Sequence, residues 1–275
     1  MCVDREHAEI VLAELLELAP GGVEELERPD GTVEYAVYGA PGELPTLPDL
    51  TAAAGSALVE VTTEEIADDW EQRWRQFHKP LVLGSALTVR PPWEPAGTTA
   101  LDVVIDPGRA FGTGSHASTR LCLEVLLELA PSSGAFVDLG CGSGVLAITA
   151  AKLGYSPVLA LDNDPEAVTA TAENARANAV ELEVGRYDLR ADPVGRSLAP
   201  TVTANLLAPL LLAWAARLGQ AGEPPGRVIA SGLLIGEGDR VAAAFAGHGL
   251  RERARRSGGD WIALLLERHG ESAMP

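Results

Sequence analysis

The residues best suited to chemistry in this chain begin with three glycines at alternate positions. In "VDLGCGSGVLAITAAKLG" they are Gly140, Gly142 and Gly144, between an apolar run that reads as a strand and one that reads as a helix. Glycine at such a junction lets the backbone approach a ligand closely, and the first amides of the helix then face that ligand. The spacing is G-x-G-x-G. A dinucleotide fingerprint needs G-x-G-x-x-G, and a P-loop ends in G-K-S or G-K-T. Here position 145 is Val145, and no lysine follows the third glycine. The next apolar run ends in Asp162, 22 residues beyond Gly140. An acidic side chain there accepts hydrogen bonds from both hydroxyls of a ribose. Loop and carboxylate together point to a cofactor with adenosine but no pyrophosphate. S-adenosyl-L-methionine meets both conditions.

Asp138, two residues before Gly140, is then expected near the methionine end of the cofactor. Cys141 reads as a small side chain filling a tight loop. Asn205 is polar inside the apolar run "TVTANLL" (201–207). Such a residue either satisfies buried backbone or faces a site, and ligands of open α/β sheets bind at the carboxyl ends of strands. A site role is expected for it. Methyl transfer from a sulfonium is an in-line displacement, so the acceptor must bring a free lone pair. Deprotonating a lysine at neutral pH costs about 4–5 kcal/mol, and an α-amino group about 1 kcal/mol. A carboxylate in contact raises the amine pKa further, whereas a neutral amide orients the amine with less of that penalty. Positioning then supplies most of the rate.

The stretch "DPGRAFGTGSHAST" (106–119) precedes the first strand of the expected core sheet, so it is a separate loop. It lacks the lysine of a phosphate cradle. Phe111 and Gly112 join the expected cofactor-binding set, Gly114 permits close approach, Thr119 supplies a hydroxyl, and His116 anchors the loop. The stretch reads as a lid-like second wall of the cofactor pocket, leading into a helix.

The elements that must position these residues follow from periodicity. Strands at 135–139, 158–163, 181–187, 201–207 and 227–234 alternate with helical runs, the pattern of a doubly wound parallel sheet. "LRERARR" and "WIALLLERH" flank Ser257-Gly258-Gly259-Asp260, and strands joined by so short a turn are antiparallel. Before residue 62 the pattern is a helix (5–18), two strands around Asp30-Gly31, a short helix (48–55) and a strand. This predicts a small α+β unit, ferredoxin-like if "MCV" supplies its opening strand. Trp70, Trp74 and Phe77 share one face of a connecting helix. The expected division is therefore 1–62, a small α+β substrate-recognition domain; 63–98, a linker helix and Pro-rich hinge; and 99–275, the cofactor-binding domain.

Composition excludes several classes. The chain has 275 residues and a formal charge of −18, from 21 Lys and Arg against 39 Asp and Glu. That argues against direct binding of nucleic acid, which needs basic patches, and favours encounter with a basic partner. The three cysteines form no C-x-x-C pair, and the histidines lack metal-ligand spacing, so no metal site is expected. No apolar run is long enough for a membrane span. "HAEIVLAELLELA" carries three glutamates and no cationic region precedes it, so it reads as an amphipathic helix and not as a signal peptide. A cytoplasmic location is expected.

"VDLGCGSG" resembles the first motif of the class I methyltransferases, whose sheet also ends in an antiparallel hairpin. More closely, "DPGRAFGTGSHAST", "VDLGCGSGVLAITAAKLG", "LDNDPEAV", "ENARANAV" and "ANLLA" resemble, in the same order, motifs of the PrmA-type ribosomal protein methyltransferases. "DDWEQRWRQFHKP" and "RPPWEP" resemble that family's linker helix and its exit. The resemblance implies S-adenosylmethionine-dependent methylation of lysine and N-terminal amino groups of the eleventh protein of the large ribosomal subunit, a basic substrate. It implies that the N-terminal domain recognises that substrate and that Thr119, Gly140, Asp162 and Asn205 hold the cofactor. The family's Thr-His-Pro-Thr-Thr is replaced here by Ser115-His116-Ala117-Ser118-Thr119, and one residue is missing between Asn205 and the following Pro-Leu. Alternatives are the same chemistry on another protein lysine or a small amine, or a non-catalytic cofactor-binding protein. A nicotinamide oxidoreductase is disfavoured by the glycine spacing.

Overall fold

A computed structural model describes residues 1–19, 23–28, 31–37, 44–62, 78–107, 116–130, 133–220 and 222–268. They fall in two units, Met1–Gln72 and Arg73–Pro275. The expected connecting helix with Trp70, Trp74 and Phe77 lies outside the described residues. So do Asp30, Phe111, Gly112 and Gly114.

The first unit runs β1 (Cys2–Asp4), α1 (Ala8–Leu18), β2 (Glu24–Glu27), β3 (Thr32–Ala36), α2 (Leu47–Ala54) and β4 (Leu58–Glu60). Its sheet order is β2-β3-β1-β4, with every neighbouring pair antiparallel. Three residues suffice for β1 because it lies inside the sheet and is paired on both edges. Ala8, Val11 and Leu15 fall at i, i+3 and i+7 on α1, and they bury one stripe against Val3, Val33 and Tyr35. The Tyr35 hydroxyl, buried with them, donates to the Ala8 carbonyl at 2.8 Å. Helix α2 starts where Thr46 and Asp49 form a reciprocal capping box.

The second unit opens with a sheet that periodicity does not reveal. Strands β5 (Leu81–Leu83), β6 (Leu87–Arg90) and β7 (Leu101–Val104) pair in the order β5-β6-β7. Leu83, Leu87, Val89 and Val103 join the same core as Leu123, Phe136 and Ile148. Residues 81–90 therefore belong to this unit's core, not to a connection reaching residue 98. Hydrogen bonds tie the Pro-rich loop that follows β6 to Arg90 and Asp102. Arg90 Nη2 contacts Asp102 Oδ2 at 2.8 Å while its Nη1 donates to the Glu94 carbonyl at 2.6 Å, and Gly97 N donates to Asp102 at 3.2 Å. The Arg90 guanidinium also holds the Asp102 carboxyl below the usual carboxylate range.

The remaining strands build one seven-stranded sheet. They are β8 (Phe136–Leu139), β9 (Val158–Asp162), β10 (Glu183–Arg186), β11 (Thr201–Asn205), β12 (Arg227–Leu234), β13 (Leu250–Gly258) and β14 (Trp261–Arg268). The helices are α3 (Ala117–Glu128), α4 (Val145–Lys152), α5 (Pro165–Ala177), α6 (Ala208–Ala215) and α7 (Gly238–Ala246). The order is β10-β9-β8-β11-β12-β14-β13, parallel from β10 to β12. Strand β14 runs antiparallel between β12 and β13, as the hairpin turn requires. This is the doubly wound sheet with terminal hairpin that the sequence predicts, and β10 is shorter than the expected 181–187. Succession runs outward one way from β8 through β9 to β10, then resumes at β11 on the other side of β8. That reversal is a topological switch point, where open α/β sheets hold ligands at the carboxyl ends of their strands. Gly140 follows β8 and Asn205 ends β11, so both stand there.

Candidate active site

The glycine loop is shaped by its neighbours. Gly140, Gly142 and Gly144 take φ of +73°, +52° and +82°. The Leu161 carbonyl at the end of β9 accepts from Gly140 N at 2.8 Å and Cys141 N at 3.1 Å. From behind, Thr171 Oγ1 of α5 donates to the Gly142 carbonyl at 2.9 Å, and Asn174 Nδ2 donates to the Ser143 carbonyl at 2.9 Å. A Cβ on Gly144 would stand 2.9 Å from Thr171 Cγ2 and 3.2 Å from Thr171 Cα, so position 144 needs glycine for space as well as for φ. A Cβ on Gly140 would run into the Leu206 side chain, which packs against the loop.

Asp162 stands beside this loop. Its Oδ2 accepts from Gly142 N at 2.9 Å and its Oδ1 from Asp164 N at 3.0 Å. Each oxygen of a carboxylate keeps a further lone pair for a hydroxyl. Asp138 has no exposed surface, its Oδ1 accepts from Thr203 Oγ1 at 2.7 Å, and its Oδ2 accepts from Ala147 N at 3.2 Å. The register explains this: Thr203 of β11 lies directly across from Asp138 of β8, and both point into the layer below the loop. Asp138 thus ties the first turn of α4 to the sheet. Burial raises its pKa to about 7, against the opposing effect of its two hydrogen bonds. Burial pushes the Cys141 thiol up and disfavours a thiolate nucleophile, and its sulfur lies 3.2 Å from Thr171 Oγ1.

Asn205 faces the first turn of α3. Its Nδ2 donates to Thr119 Oγ1 at 3.1 Å, and Thr119 is itself buried. Its Oδ1 is buried and has no hydrogen-bond partner among the described residues. His116 is the N-cap of α3. Its Nδ1 accepts from Ser118 N at 3.3 Å and lies 2.8 Å from Ser118 Oγ. Its ring meets Trp261 edge-on with centroids 4.7 Å apart. Burial lowers its pKa and so favours the neutral ring.

Several contributing residues escape sequence reasoning. Ser231 Oγ donates to the Ile262 carbonyl at 2.8 Å and lies 3.2 Å from the Ser118 carbonyl, tying α3 to β12 and β14. Like Asn205, Ser231 is a polar residue inside an apolar run, and the same criterion finds it. Thr171 and Asn174 carry no such signal, because polar residues on a helix usually face water.

The comparisons with known proteins come to one family. The family model described as "Ribosomal protein L11 methyltransferase (PrmA)" matches residues 46–269. The ribosomal protein L11 methyltransferase of Chloroflexus aurantiacus is 39% identical over 238 residues, covering 77% of this chain and 73% of that protein. The protein of the same name from Burkholderia multivorans is 35% identical over 271 residues, covering 88% of each. Among solved structures, the ribosomal protein L11 methylase of Lactobacillus delbrueckii subsp. bulgaricus superposes with a TM-score of 0.60 at 29% identity, covering 69% of this chain and 99% of that one. With the match extending over most of the chain, and with the glycine loop and Asn205 meeting at the switch point of the sheet, this chain belongs to the ribosomal protein L11 methyltransferase (PrmA) family.

Proposed function

We propose that this protein transfers methyl groups from S-adenosyl-L-methionine to amino groups of ribosomal protein L11. The observation that carries the reading is Asn205 Oδ1, a buried amide oxygen without a partner at the carboxyl end of β11. A buried acceptor left unpaired is costly, and an N–H of the acceptor amine is the partner that this chemistry brings.

The residues present fit the cofactor. The loop at 140–144 leaves no room for a side chain at Gly144, and Asp162 offers lone pairs to the ribose hydroxyls from the end of β9. When bound, the cofactor supplies an activated methyl group on a sulfonium. The chain's own contribution is orientation. Asn205 Oδ1 accepts an N–H of the amine and turns its lone pair toward the pocket, while Thr119 Oγ1 fixes the other end of the same amide. Being neutral, the amide does not hold the amine in its charged form as a carboxylate would. His116 serves as a structural cap, and the amine loses its proton to solvent.

The first unit is read as the substrate-recognition domain, residues 1–62. Register puts Glu24, Glu34 and Glu60 on the face of its sheet opposite Val33 and Tyr35. With a net charge of −18, that face suits a basic ribosomal protein. The test is incubation of the protein with labelled S-adenosylmethionine and unmethylated L11, followed by mass spectrometry of the L11 amines. Methylation of L11 is expected. Label on another protein alone overturns the acceptor, and absence of S-adenosylhomocysteine binding overturns the cofactor.

A further inference from the structure

Helix α5 and its C-cap carry two asparagines one turn apart, Asn174 and Asn178, on a face turned inward. Both are nearly buried, at 4% and 9% exposure. Buried amides need partners, and these find theirs far along the chain. Asn178 Oδ1 accepts from Val104 N at 2.9 Å and its Nδ2 donates to the Val104 carbonyl at 2.6 Å, as a neighbouring strand would do at the end of β7. Asn174 does something different. Its Oδ1 accepts from Asp106 N at 3.0 Å, while its Nδ2 donates to the Ser143 carbonyl at 2.9 Å. The amide orientation follows, because the reverse assignment would set donor against donor and acceptor against acceptor.

One side chain therefore spans two backbone segments. Ser143 belongs to the glycine loop, and its carbonyl precedes Gly144, the left-handed cap of α4. Asp106 leads out of β7 into the stretch that ends at His116 and Thr119. We propose that Asn174 is a positioning residue for methyl transfer, acting through the backbone at Ser143 and Asp106 to hold the glycine loop in its cofactor-binding shape. It touches no reacting atom. Asn178 makes no bond to the loop, and its Nδ2 also donates to the Asn174 carbonyl at 2.8 Å, so it serves as the control for the anchorage that the two asparagines share. The inference rests on the glycine loop being the cofactor cradle.

Asn174→Asp keeps the shape and the acceptor for Asp106 N, but as a carboxylate it loses the donor to Ser143. Titration calorimetry with S-adenosylhomocysteine on the full chain should give an affinity reduced by about ten-fold, the loss typical of one buried hydrogen bond to a neighbouring carbonyl. The KM for the methyl donor should rise in step, with kcat changed by less than about two-fold. Asn178→Leu should lower the melting temperature while leaving that affinity within about two-fold. Hydrogen exchange on the ligand-free protein gives a second readout, with the amides of 143–147 exchanging faster in Asn174→Asp than in Asn178→Leu. Unchanged exchange at those amides in Asn174→Asp overturns the proposal, as does an Asn178→Leu variant that loses as much affinity. If the unaltered protein binds no S-adenosylhomocysteine, the functional reading fails, and the exchange data still decide whether Asn174 holds the loop.

Discussion

An amide oxygen shut away from water without a partner costs about 1–3 kcal/mol, and Asn205 Oδ1 is such an atom. Removing the side chain relieves that cost but also loses the Nδ2 bond to the buried Thr119, so the two effects on folding offset while turnover suffers. Asn205→Ala is expected to keep the melting temperature within a few degrees and to lower kcat by about a hundred-fold, the scale of a lost positioning contact. Steady-state kinetics beside thermal melts check this, and unaltered kcat refutes the role. Asn205→Asp retains the shape but adds a charge that stabilises the protonated amine. Its rate profile should therefore move to higher pH, and a profile that stays in place counts against direct contact with the amine. Asp138 poses the opposite problem, a carboxyl with two partners and no exposure. Its pKa is raised to about 7, so the folded state binds a proton that the unfolded chain releases at ordinary carboxylate pH. The stability tied to that proton is complete below about pH 4 and is lost as pH rises through about 7, up to a limit of about 4 kcal/mol. Asp138→Asn can donate to Thr203 and accept from Ala147 with no charge to bury. Urea denaturation should find it more stable than the parent at pH 8, with the advantage gone at pH 4. An advantage independent of pH would show that Asp138 does not titrate in this window.

At the scale of elements, the loop between β8 and α4 depends on helix α5 as much as on its own glycines. Thr171 and Asn174 hold two of its carbonyls, and the Thr171 side chain and backbone occupy the space beside Gly144. Gly144→Ala meets both the left-handed φ of +82° and that contact. A residue with a Cβ in this region costs about 1–2 kcal/mol from backbone strain alone. The variant should lose at least that much stability in urea denaturation and bind S-adenosylhomocysteine more weakly. If affinity is retained, the loop does not need its observed shape. The loop was legible in the sequence because glycine spacing is a local signal, and so were the seven strands of the main sheet, most as apolar runs bounded by turn residues and the charged β13 through its short turn to β14. Strands β5, β6 and β7 were not legible. They have three or four residues each and lie among Pro and Gly, too short for any period to emerge. The bond from Thr203 to the buried Asp138 was not legible either, because it depends on register between β8 and β11, which joins positions 65 residues apart.

At the scale of the whole chain, each unit has a core of its own. Val3, Val11, Leu15, Val33 and Tyr35 close the first, while the second is built on both faces of the seven-stranded sheet. Amphipathic spacing made α1 and the Asp30-Gly31 hairpin legible in advance. The sheet order β2-β3-β1-β4 was less so, since a three-residue opening strand carries almost no pattern. Two cores predict two cooperative transitions, and the proposed cofactor site lies within the second unit alone. Ligand that binds only the folded form adds about 2.7 kcal/mol at one hundred times its dissociation constant. Scanning calorimetry with S-adenosylhomocysteine should therefore raise one transition by roughly 5–10 °C and leave the other in place. Leu15→Ala removes a fully buried side chain from the first core, at a cost of about 2–5 kcal/mol. It should lower only the transition that the ligand does not move, with S-adenosylhomocysteine affinity unchanged. A single transition displaced by both the ligand and Leu15→Ala would mean that the two cores melt as one cooperative body.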